Sequence, residues 1–263
     1  MPRLFTAFLI LLIIPFSGCD DNFQYSPNEI SLKENEKNLN VLNISRIQSS
    51  DTLRFLFISD LHHSYEELGD FVNHANSLQD ISFVAIGGDL TNFGLQEEYR
   101  QSHGWLKLLK MPSVAVIGNH DLLGNGEEVF KQMYGKLNFS FTVNGTKLIF
   151  VNSNSREYDF KGVPDLGWLK SELADSANYN EAIVIGHCPP FDADFDPELQ
   201  SQYAGMLASH NIKTTLYGHS HSFKITQPYN DGVSYVISDD MSDRSYVLVK
   251  VFNNFISTEQ ITF

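Results

Sequence analysis

Cysteine, positive charge and long apolar runs are all scarce in this chain, and each scarcity removes a class of protein. Two cysteines in 263 residues, Cys19 and Cys188, do not make a disulfide framework. A chain of this length can instead bury a sizeable core. Only 18 Lys and Arg stand against 32 Asp and Glu, a formal charge of -14. That balance disfavours a broad nucleic-acid footprint, which needs clustered basic residues. It does not exclude anionic small molecules, because bound cations invert the local field. The apolar run from Leu4 to Phe16 is too short to span a membrane comfortably as a mature helix. No internal repeat, interior linker or compositionally disordered run breaks the rest, which reads as one domain.

The amino terminus has its own logic. Arg3, the apolar run and the small pair Ser17-Gly18 lead directly to Cys19. This resembles the lipobox of bacterial lipoproteins. The resemblance implies a signal peptide over residues 1–18, cleavage before Cys19, lipid on its sulfur and an acylated amine. Acyl chains would then hold the mature protein at a membrane of the bacterial cell envelope, outside the cytoplasm. The alternative is an ordinary signal peptide with a cysteine near its cleavage site. Residues 19–50 are polar with scattered apolar positions and read as a tether and lead-in segment. The folded domain is expected over residues 51–263.

Within that domain the chain alternates apolar runs with helical periods. Leu53 to Ser59 is a strand that ends in Asp60-Leu61-His62. Residues two apart on an extended segment point the same way, so Asp60 and His62 can converge on one ion. A helix follows over Glu66 to Gln79. The strand Ile81 to Ile86 then ends in Gly87-Gly88-Asp89, and a helix with Trp105, Leu106, Leu108 and Leu109 as apolar contacts runs to Lys110. Val114 to Ile117 leads into Gly118-Asn119-His120-Asp121. Beyond a short helix and a hairpin turned at Asn144-Gly145, the strand Ala182 to Ile185 ends in Gly186-His187. Lys213 to Tyr217 ends in Gly218-His219-Ser220-His221, and three β-type runs close the chain.

Five apolar runs thus end in carboxylates, imidazoles and one amide, separated in the first half by helices. Crossover units of that kind bring carboxyl ends of strands to one side of a sheet. The donor mix suits Zn, Mn or Fe, and it exceeds what one tetrahedral ion can use. Two divalent ions about 3.5–4 Å apart, sharing a carboxylate, would use them all. His63, His74, His103 and His210 fall outside this pattern and read as ordinary surface or core residues.

The order Asp60-Leu61-His62, Gly88-Asp89, Gly118-Asn119-His120-Asp121, His187, Gly218-His219-Ser220-His221 resembles the calcineurin-like metallophosphoesterase family. The motifs span residues 60 to 221. The resemblance implies an α/β fold, a four-layer α/β/β/α sandwich with the site between the carboxyl ends of two mixed β-sheets. It assigns Asp60, His62 and His221 to one metal and Asn119, His187 and His219 to the other, with Asp89 bridging. His120 is implied as the histidine that contacts phosphate and protonates the leaving group, and Asp121 as the residue that orients it. The expected reaction is hydrolysis of a small phosphate ester by a metal-bridging hydroxide. A phosphodiester is the preferred substrate. A phosphomonoester or nucleotide, or a surface lipoprotein that binds metal or phosphate without catalysis, are the alternatives. Asn92 is a candidate neighbour of the site, the loop Asn152 to Arg156 reads equally as a substrate contact or a solvated loop, and Cys188 reads as packing. Oligomeric state is open.

Overall fold

A computed structural model of the protein describes residues 32–44, 52–174 and 176–263. The proposed signal peptide and Cys19 lie outside these residues. Among the described residues, six α-helices and eleven strands follow in the order α1 (Glu34–Ile44), β1 (Thr52–Ile58), α2 (Tyr65–Ala75), β2 (Phe83–Ile86), α3 (Gln96–Leu106), β3 (Ser113–Ala115), α4 (Gly126–Met133), β4 (Phe139–Val143), β5 (Thr146–Phe150), α5 (Leu166–Ala174), β6 (Glu181–Ile185), α6 (Pro197–Ser209), β7 (Thr214–Tyr217), β8 (Lys224–Thr226), β9 (Ser234–Ile237), β10 (Ser245–Phe252) and β11 (Phe255–Thr262).

The pattern of β1 explains the architecture. Phe55 and Phe57 bury one face and Leu56 and Ile58 the other. A strand apolar on both faces has to be covered on both. β1, β2 and β3 run parallel, with α2 and α3 as crossovers, and β10 and β11 add antiparallel on the far side to give the order β11-β10-β1-β2-β3. The second sheet has the order β4-β5-β6-β7-β9-β8, parallel through β5, β6, β7 and β9 with antiparallel edges. The two sheets face each other across a core in which Phe55 stacks on Phe83, and Phe139 on Phe150, each pair with ring centres 4.6 Å apart. Phe71, Tyr99 and Phe130 pack the first sheet's outer face under α2, α3 and α4. Leu169, Tyr203 and Leu207 do the same for the second sheet under α5 and α6. The chain therefore adopts the expected four-layer α/β/β/α sandwich of two mixed sheets.

Three details depart from the sequence reading. The polar segment expected as tether and lead-in contains α1. Asn35 on α1 is buried, donates to the carbonyl of Ala115 at 2.8 Å and accepts from its N–H at 2.9 Å, while Asn38 donates to the carbonyl of Ser113 at 2.7 Å. Side-chain amides there do for the edge of β3 what a further strand would do. On α3 the buried residues are Glu98, Tyr99, Ser102 and Leu106, whereas Leu108 past its end is exposed. Finally, β8 was not foreseen. It is three residues long and mostly exposed, so it carries no apolar signal.

Candidate metal centre

Each chemistry-bearing residue stands just past a strand end. Asp60 and His62 follow β1, Asp89 follows β2, and Asn119 and His120 follow β3 in the first sheet. His187 follows β6, and His219 and His221 follow β7, in the second. The site is thus a seam between two sheets. Polar bonds stitch it: Asp60 accepts from the backbone N–H of His219 at 3.0 and 3.1 Å, and the His187 ring bonds the Gly87 carbonyl at 2.8 Å.

The backbone is bent hard to make these turns. Asp60, His62, Asp89, His219 and His221 all adopt positive φ, between 42° and 70°. Left-handed backbone costs a non-glycine residue of order 1 kcal/mol or more, and such strain gathers where function demands a geometry. Close approach fixes two glycines. A Cβ on Gly118 would strike the Asp89 carboxylate, and one on Gly218 would strike Ser59 and Asp60.

The donor atoms crowd against one another. The carbonyl of Gly87 can only accept, so His187 Nδ1 carries a proton and Nε2 is the nitrogen turned toward the other donors. That nitrogen lies 2.8 Å from Asn119 Oδ1 and 3.2 Å from Asp89 Oδ2. His219 turns Nε2 toward Asp192 and Asp194, 3.5 Å from each, which leaves Nδ1 facing Asn119 Oδ1 at 3.1 Å. His221 sets Nδ1 3.5 Å from Asp240, and its Nε2 is 3.2 Å from Asp60 and 3.2 Å from His62 Nε2. His62 Nε2 is 3.7 Å from Asp89 Oδ2. Carboxylate, amide and imidazole donors gathered at such distances suit a cation, which would displace the protons that otherwise bridge them, so the residues present fit bound metal. Ligand atoms of Asp60, His62, Asp89 and His221 all lie within 4.8 Å of one another. Asp89 Oδ2 stands within reach of both histidine groups, as a shared carboxylate would. Cys188 also lies near Asp192 and His219, but burial and the surrounding carboxylates push its thiol well up, so it stays protonated and is a poor ligand.

Titration follows the same crowding. Burial works against a charge on His187, yet the Asp89 carboxylate beside it overrides this and lifts the imidazole to about 10; Asp89 is buried too but is held low by His187. Burial lowers His62 and His219, favouring the neutral, ligating form. The Asp60 hydrogen bond raises His221.

His120 and Asp121 divide differently from expectation. His120 Nδ1 donates to the backbone carbonyl of Asn92 at 2.8 Å, leaving Nε2 as its free nitrogen, and the ring sits 4.8 Å from that of His62. Asp121, expected to orient His120, is fully buried. It accepts from the N–H groups of Leu90 (3.2 Å), Thr91 (3.0 Å) and Gly118 (3.0 Å) and from the Thr91 hydroxyl (2.9 Å). Burial and the charge of Asp89 raise it to about 7. Its role is to staple the loops that carry Asn92 and Asn119. The carbonyl that orients His120 had no signature in the sequence, because any residue supplies one.

The loop after β5 is not solvated either. Asn152 to Ser155 are buried, and Ser153 Oγ accepts from the N–H groups of His187 and Cys188, both at 3.0 Å. Arg156 is exposed and gripped by Asp194 at 2.9 and 3.2 Å. The carboxylates Asp192, Asp194 and Asp240 beside His219 and His221 also escaped the sequence reading. For Asp192 and Asp194 the signal was an Asp-x-Asp spacing shortly after His187, too common to stand alone.

Fold and centre together define a two-sheet metallohydrolase with its donors at the sheet seam. Residues 53–223 match the calcineurin-like phosphoesterase model, and the chain belongs to that family. A probable cyclic nucleotide phosphodiesterase of Xenorhabdus bovienii is 22% identical over 180 residues, 65% of this chain and 73% of that one. A glycerophosphodiester phosphodiesterase of Enterobacter lignolyticus is 26% identical over 175 residues, 60% of this chain and 63% of that one. Among solved structures, the GAP50 anchor of the Plasmodium inner membrane complex shares the fold with a TM-score of 0.62 at 15% identity, over 80% of this chain and 84% of that one.

Proposed function

We propose that the protein is a phosphodiesterase working with two divalent cations, manganese, iron or zinc. Asp60, His62 and His221 would hold one, Asn119, His187 and His219 the other, and Asp89 would serve both. When bound, such a pair neutralises phosphoryl charge and lowers the pKa of water so that hydroxide is present near neutral pH. The chain's own residues do the rest. His120, fixed through Nδ1 by Asn92, offers Nε2 to the oxygen of the departing alcohol. Asp121 and Ser153 hold the loops that aim the donors, and the carboxylates behind His219 and His221 fix which ring nitrogen points inward.

The observation that carries this reading is the convergence of carboxylate, amide and imidazole donors from two sheets on one seam, with the free nitrogen of His120 beside them. A diester is favoured over a monoester by the rim. Asp192, Asp194 and Asp240 line the second-sheet side, and Arg156 is neutralised by Asp194. A negative rim disfavours a dianionic terminal phosphate more than a monoanionic diester. The two relatives named above carry phosphodiesterase names, which supports the same choice. The amino-terminal pattern Arg3, Leu4–Phe16 and Ser17-Gly18-Cys19 supports lipid anchoring outside the cytoplasm.

The test is hydrolysis by residues 20–263 with manganese and after chelation, comparing bis-p-nitrophenyl phosphate with p-nitrophenyl phosphate. Metal-dependent cleavage favouring the diester is expected. His120→Ala should bind both metals and lose about 10²-fold or more in kcat. Preference for the monoester would overturn the diester reading, and equal loss of metal and activity would overturn the role of His120.

A further inference from the structure

The loop that supplies the partner of His120 also displays apolar surface that the fold does not use. It runs from Thr91 to Leu95 and is held at both ends. Asp121 fixes Leu90 and Thr91. Glu98, itself buried, accepts from the N–H groups of Phe93 at 2.9 Å and Leu95 at 3.2 Å. Gly94 turns between them at φ +67°, packed so closely on the Leu123 carbonyl that a Cβ would not fit. Despite this rigidity, Phe93 and Leu95 are each 53% exposed and Leu123 42%. Clustered large apolar side chains on a fixed loop mark a surface that something covers.

The position says what covers it. The loop lies beside His120: Asn92 accepts from its ring, Phe93 is the next residue, and Leu123 closes the turn that begins at His120. His63, the residue after His62, joins the patch. Its ring is 6.0 Å from that of Phe93, and Glu98 holds it at 2.7 Å with the same carboxylate that holds the Phe93 backbone. A group that gives its proton to the leaving oxygen has the leaving alcohol next to it. We propose that Phe93, flanked by His63, Leu95 and Leu123, is the subsite for the leaving alcohol and selects a flat aromatic one, such as an alcohol bearing a nucleobase. Two rings held at a fixed separation offer π-faces, and stacking on an exposed aromatic accepts any base. The inference rests on the phosphodiester reading above.

The experiment compares two diesters on the manganese-loaded protein, methyl p-nitrophenyl phosphate with a flat leaving group and glycerophosphoethanolamine without one. Phe93→Ala should raise KM for the aryl ester about tenfold relative to KM for the aliphatic one, with kcat on the aryl ester changed less than about twofold. Phe93→Tyr should restore the ratio and Phe93→Leu should not. Phe255→Ala, which removes an exposed phenylalanine at the start of β11, is the control and should change neither constant. Equal changes on both diesters, or full function in Phe93→Leu, overturn the proposal; the latter result would point to a flexible acyl group. If the wild-type protein cleaves no diester, the phosphodiester reading fails, and the platform is judged by binding. Adenosine 5′-monophosphate should quench the added indole of Phe93→Trp beyond any change in the wild type, and no added quenching overturns the platform as well.

Discussion

Replacing Ser153 by alanine removes one oxygen atom and should destabilise the protein by about 3 kcal/mol. The side chain is fully buried, and its hydroxyl is the acceptor for two adjacent N–H groups, those of His187 and Cys188, at 3.0 Å each. Alanine offers no acceptor and leaves almost no cavity, so the packing contribution is small. Each buried donor stranded in this way costs about 1–3 kcal/mol, and local relaxation keeps the total toward the lower half of the summed range. For a domain of this size that corresponds to a fall of roughly 6–12 °C in Tm. The consequence should extend to the metal centre. The His187 backbone is positioned by Ser153, and its ring must keep Nδ1 on the Gly87 carbonyl while Nε2 faces Asn119. Loss of such an outer support weakens metal affinity by about 10–100-fold. Thermal unfolding followed by circular dichroism, with and without manganese, reads the first effect, and titration with manganese reads the second. A Tm within about 2 °C of wild type together with unchanged metal affinity would refute the reasoning, because the two amides would then have found another acceptor.

The edge of the first sheet supplies a second prediction. Asn35→Ala strands both the N–H and the carbonyl of Ala115, so it should cost about 3 kcal/mol in denaturant unfolding, and a chain begun at residue 51 should lose at least as much. Titration supplies a third. His187 has a folded value raised to about 10 from an unfolded value near 6.5, so its contribution to stability is fully present below pH 6.5 and is lost as pH rises through 10. Chelator-treated protein should therefore weaken steadily over that window. Metal must displace the same proton, so calorimetry near pH 7 in buffers of different ionisation enthalpy should show proton release on binding.

Much of the site was legible because the sequence writes it at places with a fixed local grammar. A buried parallel strand is a short apolar run, and the residues just past it lie at the strand's carboxyl end, so Asp60, His62, Asp89, Asn119, His187, His219 and His221 can be gathered from the sequence alone. The fold class followed from the same runs. What could not be read was work done by groups common to every residue or by residues distant in sequence. Asn92 acts on His120 through its carbonyl. Ser153 braces His187 across 34 residues, and Asn35 completes a strand 80 residues away. None of these has a periodicity or a spacing that marks it.

Asp121 shows why adjacency misled. It follows His120 directly, and a carboxylate next to an imidazole in sequence invites a hydrogen-bonded pair. The chain turns sharply over His120–Leu122, however, and consecutive side chains on such a turn diverge. Asp121 points into the protein, where four donors from two loops were waiting, and His120 points to the seam. The carboxylate still serves the histidine, but through the backbone. It fixes Thr91, whose neighbour Asn92 presents the carbonyl, and Gly118, whose neighbour Asn119 faces His187 and His219. One buried carboxyl group thereby helps set the spacing between the acid and the donors, a quantity to which chemistry at phosphorus is sensitive.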